Sequence, residues 1–201
     1  MNTFEAIEQR RAVKHYDPNH EMTNDEVNQL LSAVLLSPTS FNIQNWRFVL
    51  VKDKPLREKL REAAWNQAQV TDASLVVVLC GNKNSWSQEP DRYWRNAPDD
   101  VREFLVAGIK NFYDGKEQEQ RDEIHRSCGI AAQTLMLSAK AMGYDSCPMV
   151  GFEPEKVAEL INLPKDHVIS LMVVVGKAIK PARERGGQLS LNEVVIENQF
   201  S

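Results

Sequence analysis

The chain has 201 residues, of which 42% are hydrophobic and 26% charged, and its formal net charge is −4. That is the composition of one soluble domain with a sizeable core, and the acidic balance excludes a general nucleic-acid binder, which needs a basic face. Three cysteines without CxxC spacing, Cys80, Cys128 and Cys147, imply neither a disulfide framework nor a zinc site. They fit a reducing cytoplasm.

No apolar run is long enough to span a bilayer, and Met1-Asn2-Thr3-Phe4-Glu5 does not open like a signal peptide. Residues 3–11 read as a short helix ending in Arg10-Arg11-Ala12-Val13-Lys14. Thr23-Asn24-Asp25-Glu26 has the pattern of a capping box. Val27, Leu30, Leu31, Val34 and Leu35 follow at helical spacing, so a helix should run to about Leu36 before Pro38 stops it. A hydroxyl- and amide-rich turn, Pro38-Thr39-Ser40-Phe41-Asn42-Ile43-Gln44-Asn45, leads into a strand from Trp46 to Val51. A charged amphipathic helix is expected around 55–64. Ser74 to Cys80 is β-branched and apolar, bounded by Asp72 and Gly81, and reads as a buried strand.

Residues 82–98 are polar with scattered aromatics and read as an excursion or lid. Asp99 or Asp100 is placed to cap a helix carrying Val101, Phe104, Leu105, Ile109 and Phe112, which Asp114-Gly115 interrupts. Lys116 to Arg126 is densely charged, as a solvated helix face would be. Cys128 to Met142 is apolar nearly all round, as for a helix buried in a core or a subunit interface, with Gly143 at its C-terminal stop. Val168 to Val175 is a second buried strand. The tail from Gly186 to Ser201 carries Leu189, Leu191, Val194, Val195, Ile196 and Phe200. It is too apolar for a disordered tail and too short for its own core, so docking on a partner subunit would bury it. Alternation of strands with helices points to a mixed α/β sandwich rather than a bundle.

Cations gather at both ends of an acidic chain: Arg10, Arg11 and Lys14, then Lys177, Lys180, Arg183 and Arg185. With the polar turn between them they suggest a site for a small anionic ligand, since guanidinium forks suit phosphate oxygens. Each part also has a plainer reading. The first run can be a solvated helix end matched to the helix dipole, and the turn a helix-to-strand loop.

The sequence holds no GxGxxG, no GxxxxGK[ST], no HExxH and no GxSxG, and the four histidines lack metal spacing. No nucleophile, base or metal site is evident, so an enzymatic activity here would rest on an organic cofactor.

Four segments in register carry a resemblance. Arg-Arg-x-x-Lys at 10–14, Pro-Thr-Ser-x-Asn-x-Gln-x-Trp at 38–46, the Val-rich strand after Asp72-Ala73-Ser74, and Pro148-Met149-Val150-Gly151-Phe152 together resemble the FMN-dependent nitroreductase family over nearly the whole chain. The resemblance implies an α+β fold of the nitroreductase type. That is a three-layer sandwich with a central, mostly antiparallel mixed sheet flanked by helices, in an intertwined homodimer. It implies a single domain over 1–201, with a lid excursion at about 82–126 and a C-terminal tail, about 186–201, swapped onto the partner.

The implied activity is reduction of nitroaromatics, quinones or related acceptors by NADH or NADPH, in a ping-pong hydride transfer through flavin N5. FMN would sit at the dimer interface, and no metal, nucleic acid or membrane would take part. The resemblance places Arg10 toward the FMN phosphate and Lys14 toward the ring edge, with Arg11 and Ala12 in the same motif. It has Pro38, Thr39, Ser40 and Asn42 contributed from the other subunit. Asn66 and Gln69 match an Asn and a Lys that reach the ring in some relatives. Pro148, Met149, Val150 and Gly151 match the loop under N5, where Val150 stands in place of the Glu of some relatives. Arg183 and Arg185 resemble a C-terminal phosphate clamp. No side chain is assigned as catalytic, because flavin N5 carries the chemistry. Phe112, Trp94 and Tyr93 are the aromatic candidates to stack on substrate, although aromatics at helical spacing are also ordinary core. Two other functional classes stay open. One is an FMN-binding dimer of the same fold that fragments flavin, dehalogenates a substrate or sequesters flavin. The other is a structural dimer without flavin.

Overall fold

The Val-rich run after Ser74 is the middle of the sheet. In the computed structural model, which describes residues 1–200, it forms β2 (Leu75–Asn82), with every residue buried. β1 (Trp46–Leu50) pairs with one side of β2 and β4 (His167–Gly176) with the other, and β3 (Asp145–Met149) pairs with β4. The order is β1-β2-β4-β3 and every pairing is antiparallel. The alternation of strands and helices therefore builds an α+β sandwich, not the parallel α/β sheet that such alternation often gives.

The helices are α1 (Thr3–Gln9), α2 (Asn24–Val34), α3 (Lys54–Ala63), α4 (Gln69–Asp72), α5 (Asp99–Tyr113), α6 (Glu117–Ala141), α7 (Pro154–Leu160) and α8 (Leu191–Val194). They cover both faces of the sheet, which is why β2 reads as an unbroken apolar run rather than an alternating one. Val76, Val78 and Cys80 pack with Met172 and Val174 against Leu60 and Ala63 of α3 and Val157 of α7. Leu75, Val77 and Leu79 pack with Val173 and Val175 against α2 and α6 through Leu30, Val34, Ile124, Cys128, Ala131 and Leu135. Two glycines allow close approaches at opposite ends of this core. A Cβ on Gly81 would come within 2.5 Å of Ile124, and one on Gly176 within 2.9 Å of Tyr16 and 3.0 Å of the Ser74 backbone.

Several expectations need correction. α1 ends at Gln9, and Arg10 is already extended with ψ 124. Pro98 occupies the N-cap of α5 without a side-chain bond. Asp99 and Asp100 lie inside the first turn, where they complement the helix dipole rather than cap it. The charged run 116–126 and the apolar run after it are one 25-residue helix, α6. Glu123 and Ile124 within the charged part are buried, so that run is not simply a solvated face. Pro148 and Met149 are not loop but the end of β3. That strand lies at the sheet edge, where a proline's missing N–H is tolerated. Gly143, at φ 78, ends α6 as expected.

The capping box of α2 is present in full: Glu26 accepts the Thr23 N–H at 2.8 Å and Thr23 Oγ1 accepts the Glu26 N–H at 3.2 Å. Glu26 also accepts the Tyr144 hydroxyl at 2.6 Å. That bond, followed by those from Thr23, holds its carboxyl at about 2. A carboxylate with a lower pKa folded than unfolded stabilises the fold above about 4.5 and loses that contribution as pH falls toward 2. Tyr144→Phe is expected to raise the Glu26 midpoint toward 4.5 and to move acid unfolding to higher pH. A carboxyl NMR titration reads this directly, and a Glu26 midpoint still near 2 in the variant would assign the shift elsewhere.

Residues 186–200 leave the body of the chain. All of them are exposed, with Leu191 at 76% and Phe200 at 82%. No helix of the described residues is long and apolar enough to cross a membrane.

Candidate functional site

Where α1 stops, the chain turns to run beside β3. Ala12 bridges Ser146 in parallel, and the Val13 N–H donates to the Ser146 carbonyl at 3.1 Å. The strand past Gly176 returns along the other side, with the Asp17 N–H on the Lys177 carbonyl and the Ile179 N–H on the His15 carbonyl. Two basic segments 170 residues apart in sequence are thereby laid side by side. They enclose a cavity of about 730 Å³ lined by Arg10, Arg11, Ala12 and Lys14 from one and Lys180, Arg183 and Arg185 from the other. Among its lining residues Glu184 is the only carboxylate.

These cations divide by what they touch. Arg11 donates to the Arg183 carbonyl, and Arg185 donates to the carbonyls of Glu8 at 2.8 Å and Arg10 at 3.5 Å. Both tie the two segments together. Arg10, Lys14, Lys180 and Arg183 line the cavity and make no side-chain bond or ion pair among the described residues. Lys177, the remaining member of the C-terminal group, is elsewhere: its Nζ donates to the Gly143 carbonyl at 2.7 Å and lies 3.9 Å from the Tyr144 ring centre.

The turn after β3 lies farther along the same edge. Val150 is 77% exposed, and neither the Val150 nor the Gly151 N–H has an acceptor among the described residues. Trp65 and Gln67 hold this turn from below. Gln67 Nε2 donates to the Gly151 carbonyl at 2.8 Å, and a Cβ on Gly151 would meet the Trp65 ring at 2.8 Å. Asn66 stands exposed beside them with φ 57. Gln69 does not: it is 4% exposed, and its amide donates to Gln67 Oε1 at 2.9 Å and to the Met149 sulfur at 3.8 Å. It buttresses the turn from the core instead of reaching the surface, because the single turn of α4 points it inward. Trp65 and Gln67 had no legible signal, as their role comes from the loop they meet.

Pro38, Thr39, Ser40 and Asn42 are not part of this assembly. Their turn is tied to α6 by the Ser40 N–H on Glu123, and to the excursion by Asn42 Nδ2 on the Tyr93 carbonyl at 2.8 Å and Trp94 Nε1 on the Phe41 carbonyl at 3.0 Å. It adjoins the end of β2 where Trp46 pairs with Gly81, while Tyr16 packs against Gly176 at the other end. An eight-residue strand spans on the order of 20 Å, so the turn and the cationic cavity of one chain lie at opposite ends of its sheet.

The aromatic candidates separate too. Tyr93 is 8% exposed, its hydroxyl donates to the Ser85 carbonyl at 3.0 Å, and with Ile43, Ile109 and Tyr113 it forms the small core of the excursion. It therefore packs a core rather than facing a ligand. Trp94 packs against the same cluster with its indole N–H engaged. Phe112 is 41% exposed and leans on Phe41, with ring centres 5.6 Å apart. The three cysteines are free and buried, and burial pushes the Cys80 and Cys128 thiols up to about 12, which leaves them inert as nucleophiles. No group of three His, Cys, Asp or Glu among the described residues is placed to hold a metal ion.

Comparison with known proteins gives the chain's family. The model of the Nitroreductase family matches residues 7–177. Protein DrgA of Synechocystis sp. is 55% identical over 182 residues, covering 90% of this chain and 87% of that protein. The oxygen-insensitive NADPH nitroreductase of Helicobacter pylori strain 26695 is 26% identical over 200 residues, covering 94% of each. A nitroreductase-like chain from Exiguobacterium sibiricum 255-15, solved in complex with FMN, superposes with a TM-score of 0.90 at 29% identity, covering 98% of this chain and 97% of that one.

Proposed function

Because the chain belongs to the nitroreductase family, we propose that it is an FMN-dependent oxidoreductase that takes reducing equivalents from NADH or NADPH and delivers them to nitroaromatics, quinones or related acceptors. The observation that carries this reading is the cationic cavity beside β3. FMN ends in a phosphate with roughly two negative charges near neutral pH, and an acidic protein needs local cations to hold it. Arg10, Lys14, Lys180 and Arg183 supply them with their heads uncommitted. The volume of about 730 Å³ falls within the ordinary range for ligand sites, roughly 300–1,000 Å³. Farther along the same edge, the unpaired N–H groups of Val150 and Gly151 are donors suited to the acceptor edge of a planar ring. The residues present therefore fit the cofactor.

Bound there, FMN would supply the redox chemistry between nicotinamide and acceptor. The chain's part is to hold and orient. Arg10 and Arg183 take the phosphate, Arg11 and Arg185 keep the two basic segments together, and Val150 and Gly151 fix the ring. Val150 offers no ionisable side chain at the turn, so no general acid stands at that position. The homodimer belongs to the same proposal. The separation of Pro38–Asn42 from the cavity of its own chain favours their serving the cofactor of a second copy, and the exposed apolar tail favours its docking there.

Purified protein is expected to be yellow with FMN in stoichiometric amount, and NADPH or NADH is expected to bleach it without oxygen and nitrobenzoate or a quinone to restore the colour. Colourless protein that takes up no added FMN would remove the proposal. Bound flavin that neither nicotinamide bleaches would redirect it to flavin fragmentation, dehalogenation or sequestration.

A further inference from the structure

Among the described residues Glu123 is the only buried carboxylate, at 6% exposure. It sits on α6, where its neighbours Glu119 and Asp122 are only half-buried and lie 3.6 and 4.0 Å from Arg126. Its Oε1 accepts the Ser127 hydroxyl at 2.8 Å and the Ser40 backbone N–H at 3.2 Å, while Oε2 lies 3.5 Å from Arg126 Nη1. A buried carboxylate is tolerated only when paired and hydrogen-bonded, and here one of its partners is a backbone group of a separate loop.

That loop is strained. Phe41, Asn42 and Gln44 have φ of 49, 56 and 40, values that non-glycine residues keep only where the surroundings over-determine them. Its other ties are the Gln44 N–H on Thr39 Oγ1 at 3.0 Å, the bonds from Asn42 and Trp94 to and from the excursion, and Arg47 Nη1 of β1 on the Gln44 carbonyl at 3.1 Å. The bond from β1 holds only the far end of the turn, at Gln44. Glu123 holds its start, at Ser40, from α6.

We propose that Glu123 is a positioning residue: by fixing the Ser40 N–H from α6 it sets the conformation of the 39–44 turn, and so the direction in which Thr39, Ser40 and Asn42 face the cofactor held by a second copy. This rests on the flavin reading above. The carboxylate touches neither cofactor nor substrate. It converts the rigidity of α6 into the geometry of a loop that, left to its backbone preferences, would relax.

Two variants test it on the full-length protein. Glu123→Met fills the same space and removes both acceptor oxygens. Glu123→Gln keeps one acceptor for Ser40. The first readout is hydrogen exchange across residues 38–44 in protein without added flavin. The second is FMN titration with the visible circular dichroism of the bound flavin. Glu123→Met is expected to lose protection in 38–44 while α6 stays protected, to bind FMN at least about tenfold more weakly, as loss of a charge-assisted bond implies, and to alter the flavin dichroism. Glu123→Gln is expected to stay close to wild type in all three. Unchanged protection of 38–44 in the Met variant overturns the proposal, as does a Met variant that fails to fold, because the carboxylate would then serve the core rather than the turn. Wild-type protein that binds no FMN would instead overturn the flavin reading, and exchange at 38–44 would still decide whether Glu123 anchors the turn.

Discussion

Arg10→Glu combined with Arg183→Glu is expected to weaken FMN binding by at least about a hundredfold. Each residue offers an uncommitted guanidinium to the cavity beside β3, and a charge-assisted contact is worth roughly 1.5–3 kcal/mol. Losing two removes about 3–6 kcal/mol, and each factor of ten in affinity is about 1.4 kcal/mol. Reversal adds repulsion, since the new carboxylates join Glu184 at the mouth. The fold should be spared. Arg11 grips the backbone carbonyl of residue 183, not its side chain, and the Arg185 bonds also go to backbone. Fluorescence titration of apoprotein with FMN reads the effect, with thermal unfolding as the control. Flavin affinity within threefold or so of wild type would show that the phosphate binds elsewhere.

Deleting residues 187–201 is expected to dissociate the proposed dimer and, with it, to release the proposed flavin. Leu189, Leu191, Val194, Val195, Ile196 and Phe200 are all exposed on the chain taken alone, and α8 is a single turn without a core of its own. Docking those six side chains on a partner would contribute roughly 5–10 kcal/mol, which is more than a thousandfold in the dissociation constant. Gly187, at φ 119, is where the tail departs, so the cut leaves Arg183 and Arg185 in place. Sedimentation at nanomolar protein separates the outcomes. A truncated protein that stays dimeric and yellow there would show that the tail is not the clamp.

What the sequence disclosed was mostly local or strongly biased in composition. The Thr23–Glu26 box was legible because both of its bonds lie within four residues. The strand at 75–82 was legible because only a strand covered on both faces takes so long a β-branched run. α6 was read as two pieces because its charged and apolar halves differ in composition, yet no proline or positive-φ glycine breaks it between Glu117 and Ala141. β3 was missed because Asp145-Ser146-Cys147-Pro148 has little strand propensity, and pairing with β4 imposes the conformation. The same division holds at the site. The meeting of 10–14 with 183–185 could be anticipated from charge. The inward turn of Gln69, the core role of Tyr93 and the buried state of Glu123 could not, since each is fixed by an element distant in sequence.

The sheet's centre also sets a timetable for biosynthesis. Leu75 pairs with Val175, and β4 is the last strand to be made. Until β4 clears the ribosome, β2 has a partner on one side only, and its other edge, Val76-Val77-Val78 included, stays open to the wrong neighbour. Pairings of such long range form late, and transiently unpaired apolar strands invite aggregation. Nascent chains of this protein should therefore depend on chaperones until translation is nearly complete.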